Sequence, residues 1–162
     1  MILGLSLHTF TQFHVALSLI AILSGLVVLL GMLASFRLNT LTALFLITTV
    51  LTSLTGFLFP FHGVTPGIVV GILSLIVLLA AILARYAFHL SGGWRATYVV
   101  CSVIALWFNV FVFIVQSFEK VPALHALAPT QTESPFKIAQ IVVLLTFIVL
   151  GIRAVKKFHP AP

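Results

Sequence analysis

The run Gly67-Ile68-Val69-Val70-Gly71-Ile72-Leu73-Ser74-Leu75-Ile76-Val77-Leu78-Leu79-Ala80-Ala81-Ile82-Leu83-Ala84 contains no charged residue, and Arg85 ends it. At a rise of about 1.5 Å per residue, about 20 helical residues cross the hydrocarbon of a bilayer. Backbone N–H and C=O groups in hydrocarbon must be paired within their own segment, so such a run is a helix. It starts and stops cleanly. The Thr65 hydroxyl can cap it, Pro66 suits the first helical position, and Ser91-Gly92-Gly93 closes it.

Outward from this span, 67–89, four more apolar runs of similar length appear at 13–35, 41–59, 97–118 and 136–153. Arg37-Leu38-Asn39-Thr40 separates the first two, and Pro60 to Pro66 separates the second from the third. Segment 119–135 contains Pro122, Pro129 and Pro135, which a single helix would not tolerate. The first run lacks a basic n-region, so it reads as a retained helix and not as a cleaved signal. No alternating barrel pattern occurs. The expectation is an all-α integral membrane bundle of five transmembrane helices, one domain over 1–162, with a loop at 119–135.

Composition agrees. The chain of 162 residues is 62% hydrophobic and 6% charged, with a mean hydropathy of +1.31. A soluble domain carries about a quarter charged residues. The net charge of +6 does not form the stripe a nucleic-acid surface needs, because the basic residues stand between apolar runs. They read as topology determinants. Arg37, Arg85, Arg95, Arg153, Lys156 and Lys157 fall on one side, and Lys120 and Lys137 fall on the other with Glu119 and Glu133. The positive-inside rule then puts the N-terminus outside and the C-terminus in the cytoplasm. Cys101 is alone and reads as packing.

Three sets of residues carry the candidate chemistry. Gly67, Gly71 and Ser74 form a small-residue face for helix packing, within the bundle or between copies. Thr48 and Thr52 recur on the second span, and Asn109 and Gln116 share a face of the fourth. Asn109 lies near mid-membrane and wants a partner. These four residues could pair across helices or line a cavity for a small neutral ligand. Four histidines, His8, His14, His62 and His125, map to the outer side. Imidazole binds transition metals and haem iron, so a metal or haem cofactor is a candidate there, with His14 and His62 the best-placed pair. Their spacing matches no metal motif. No charge lies in the interior of a span, which argues against carboxylate relays, voltage sensors and charged ion paths. No hydrolase or phosphate-loop motif is present, so the chain reads as non-enzymatic.

Three segments carry a resemblance: Gly56-Phe57-Leu58-Phe59-Pro60-Phe61-His62-Gly63-Val64-Thr65-Pro66-Gly67, Phe108-Asn109-Val110-Phe111-Val112, and Lys120-Val121-Pro122-Ala123-Leu124-His125-Ala126-Leu127-Ala128-Pro129-Thr130-Gln131. They resemble a group of small multi-pass proteins of bacterial inner membranes. The resemblance implies residence in a bacterial plasma membrane and transfers no activity. The expected function is that of an accessory or self-associating helical bundle, with the lipid bilayer and a homo-oligomer or larger membrane complex as partners. Outer-face metal or haem binding and carriage of a small neutral solute are the alternatives.

Overall fold

The computed structural model describes residues 2, 4–60 and 66–160. The described residues are all-helical, apart from one isolated bridge between Ile2 and Leu5. Helix α1 spans Leu7–Leu33, α2 Asn39–Gly56, α3 Pro66–Ile82, α4 Trp94–Lys120, α5 Pro122–Leu127 and α6 Ser134–Lys157. A π-helical turn, Leu83–Ala87, continues α3. Among the described residues, five helices are long and apolar enough to cross a membrane.

The bounds differ from the apolar runs, and at α1 capping is the reason. Helix α1 begins at Leu7 because the Ser6 hydroxyl accepts from the Thr9 N–H at 3.1 Å. Its far end closes with Ser35 at φ 62° and the Phe36 N–H bonded to the Gly31 carbonyl. Helix α4 starts at Trp94 and reaches Lys120. The connection to α6 is therefore shorter than 119–135, and Pro122 opens the short α5 within it.

The helices form a bundle around α4, which touches every other helix. Helices α1 and α2 make an antiparallel hairpin, α3 packs on α2 and α4, and α6 lies on α4 and α1. The interior is built from small residues alternating with large ones. Gly25 sits where α1, α2 and α4 meet: a Cβ there would stand 2.6 Å from Leu106 Cδ1 and 2.8 Å from the Phe45 ring. Ser74, Leu78, Ala81 and Ala84 turn one face of α3 inward. Gly71 lies under the Phe57 ring, 2.9 Å from where its Cβ would be, so it serves packing within the bundle.

The outside is as apolar as the inside. Leu23 and Leu30 of α1, Ile76 and Leu79 of α3, and Ile138 of α6 are all exposed by more than half. Water tolerates no contiguous apolar surface of this extent. Hydrocarbon does, which makes the exterior compatible with a multi-pass membrane protein.

Candidate functional site

The polar side chains between helices lie at three levels along α2. Thr42 and Thr49 meet α4, and Thr55 meets α1. At about 1.5 Å per residue the levels are about 10 Å apart, so no direct hydrogen-bond chain joins them.

At the level nearest the α1 N-terminus, His14 Nδ1 lies 2.8 Å from Thr55 Oγ1. Thr55 donates its own proton to the Leu51 carbonyl at 2.7 Å. Its oxygen therefore accepts from His14, which places the imidazole proton on Nδ1 and leaves Nε2 with the lone pair. Phe59 meets the ring edge-on at 5.2 Å. His8 is exposed in the first turn of α1, and His125 is exposed on α5. His62 lies outside the described residues. Among the described residues, no three His, Cys, Asp or Glu side chains come together as a metal would need.

At mid-bundle, Asn109 Nδ2 donates to Thr49 Oγ1 at 3.1 Å, with both residues buried. Thr49 in turn donates to the Phe45 carbonyl. Thr48 and Thr52 bond back to the carbonyls of Leu44 and Thr48 on their own helix. Gln116 is exposed and bonds to Glu119 one turn on. The structure thus joins Asn109 to Thr49 and does not gather Asn109, Gln116, Thr48 and Thr52 around one space. The described grooves are apolar and lie elsewhere, about 210 Å³ between α4 and α6 and about 370 Å³ between α2 and α3.

The third level is at the opposite end, and sequence reasoning read its key residue only as a topology charge. Arg85 sits in the π-helical turn, where the Phe88 N–H reaches back to the Leu83 carbonyl. Such turns are uncommon and occur often at functional sites. The side chain is only 7% exposed. Nη2 donates to the Arg37 carbonyl at 3.0 Å and to Asn39 Oδ1 at 2.6 Å. The guanidinium lies 5.0 Å from the centre of the Tyr98 ring and 5.8 Å from that of Tyr86. Tyr98 extends the cluster to Thr42, with hydroxyl oxygens 3.5 Å apart. Arg85 Nη1 and Arg37 Nε are buried without a hydrogen-bond partner among the described residues. The one signal in the sequence was its place at the end of the longest uncharged run, beside a tyrosine.

Other polar contacts fasten the ends. Arg95 Nη1 donates to the carbonyls of Val155 and Phe158, both at 2.8 Å, and so caps the C-terminus of α6. At the far end Glu133 accepts from the Thr130 hydroxyl at 2.8 Å and from the N–H groups of Thr130 and Thr132. Slight desolvation pushes the Glu133 carboxyl up, but these hydrogen bonds outweigh it and hold its pKa below the ordinary value.

Comparison with family models, with curated proteins and with solved structures gives no match for this chain.

Proposed function

We propose that the protein is a non-enzymatic, self-associating helical bundle of a bacterial plasma membrane, with its N-terminus outside and its C-terminus in the cytoplasm. The observation that carries this reading is how the membrane-depth polar groups are used. Asn109 holds Thr49, His14 holds Thr55, Tyr98 approaches Thr42, and Gln140 holds the Phe111 carbonyl. Each contact ties one helix to another, which is the usual role of scarce polar groups in lipid. The six basic residues at one end support the orientation, and the resemblance to small bacterial inner-membrane proteins supports the location.

Helix α6 supplies the contact surface. Only 11% of its most apolar window is buried, against 39% for α1 and for α4. Its outward residues include Ile138, Ile141, Val142, Ile148, Val149 and Ile152. β-Branched side chains hold nearly one rotamer in a helix, so packing them against a second copy loses little entropy. The test is disulfide crosslinking in native membranes, with Cys101→Ser as background. Leu145→Cys on α6 should give a crosslinked dimer, and Ile76→Cys on α3 should not. A strictly monomeric Leu145→Cys protein would overturn the reading.

A further inference from the structure

We propose that Arg85 and Arg37 bind the phosphodiester of a net-anionic lipid, with an acyl chain lying in the apolar groove between α2 and α3.

A guanidinium stays protonated at any accessible pH, so Arg85 is a permanent cation. It is buried by more than nine-tenths, and its protein acceptors are a backbone carbonyl and an amide, both neutral. The chain has only two acids, Glu119 and Glu133. Glu119 lies in the last turn of α4 and Glu133 beyond it, about 30 Å or more away along that helix. No acidic side chain of the described residues lies near enough to supply the countercharge, and a bound anion would provide it. Two buried N–H groups, Arg85 Nη1 and Arg37 Nε, are left without a partner among the described residues. Unused donors on two arginines that adjoin where Arg85 Nη2 reaches the Arg37 carbonyl suit the paired oxygens of a phosphate.

The groove selects the source of that phosphate. It holds about 370 Å³ and is lined by Leu46, Ile47, Val50, Ile82 and Tyr86 among others. Tyr86 is half-exposed, and its ring also borders the Arg85 guanidinium. One side chain thus touches both the groove and the cation. A free phosphate would use the cation alone. A lipid uses both, with its headgroup at the arginines and its chain between α2 and α3. This inference is independent of self-association through α6, which lies on a different side of α4.

The full chain is placed in bilayer discs of phosphatidylcholine and phosphatidylglycerol in equal parts. Lipid retained after gentle delipidation is then counted by native mass spectrometry. The wild type should retain phosphatidylglycerol over phosphatidylcholine by about fivefold. Arg37→Gln, at a half-buried position, should lower that preference, and Arg85→Gln should abolish it. Millimolar inorganic phosphate should not displace the lipid. Equal retention of the two lipids by the wild type would overturn the proposal. So would an unchanged preference in Arg37→Gln, which decides the matter alone if Arg85→Gln does not fold. Loss of the preference on adding phosphate would show a free-anion site and overturn the lipid assignment.

Discussion

The two ends of the bundle use charged residues in opposite ways. At the end where α3 stops and α4 starts, charged side chains reach far in sequence: Arg85 to Arg37 and Asn39, Arg95 to Val155 and Phe158. At the other end the charged residues bond locally, Gln116 to Glu119 and Glu133 to Thr130 and Thr132. Long-range polar contacts fasten helices to each other, whereas local ones only shape a turn. The arginine end is therefore the clamp of the fold. The end with α5 is tied together without charged side chains, by Phe118 on Phe136, the His14–Thr55 bond, and Gln131 and Gln140 donating to the carbonyls of Val115 and Phe111.

Five substitutions test how unequal the two ends are. The largest effect is expected between them, at Gly25, on which the whole α1–α2–α4 junction depends. Gly25→Val should cost about 3 kcal/mol, because the Phe45 ring and Leu106 already occupy the space. Unfolding in graded denaturing detergent measures it, and a variant as stable as wild type would remove the junction from the account.

Arg95→Gln comes next, at about 2 kcal/mol, from two charge-assisted bonds on a half-buried side chain. Its signature is local: amide exchange should speed up over the last turn of α6 and leave α2 alone. Uniform acceleration along the chain would contradict a clamp at that place.

At mid-bundle the expected effects are asymmetric. Thr49→Val leaves the buried Asn109 amide without its acceptor and should cost about 1 kcal/mol. Asn109→Leu leaves Thr49 still bonded to the Phe45 carbonyl, so it should cost less. The reverse order would show that Asn109 has an additional role.

The smallest effect belongs to Glu133→Gln at the locally bonded end. The depressed carboxyl contributes fully above its unfolded pKa, and that contribution is lost as pH falls through the lower folded value. Acidification through and below about pH 4 should loosen the turn at Thr130–Glu133 and leave the helices intact. Amide exchange at Thr130 and Thr132 against pH reads this directly. A matching loss of helicity by circular dichroism would mean the two ends are more alike than their contacts indicate.

Much of the architecture was legible from sequence, and for a simple reason. Lipid allows the backbone few options, so uncharged runs of the right length had to be helices, and the breaks at Arg37–Thr40 and at Ser91-Gly92-Gly93 fell where the helices end. Rotation about each helix axis was not legible. A helix that is apolar on every side has no hydrophobic face to set its orientation. Thr48, Thr49 and Thr52 look interchangeable in sequence, yet only Thr49 meets Asn109, while its neighbours bond to their own helix. The histidines illustrate the same limit. Position at one end was readable, but convergence was not, and His14 faces a threonine.

By itself, then, the sequence determined the helical class, the five long apolar helices and the placing of basic charge between them, because these follow from hydropathy and backbone hydrogen bonding, which act locally. Only the tertiary structure decided that Arg85, which stands at a span end like any topology charge, is folded inward against Tyr98 and the α1–α2 turn. Burial of that kind depends on which helices pack together and on the π-helical turn that aims the side chain, and no local pattern of residues encodes either.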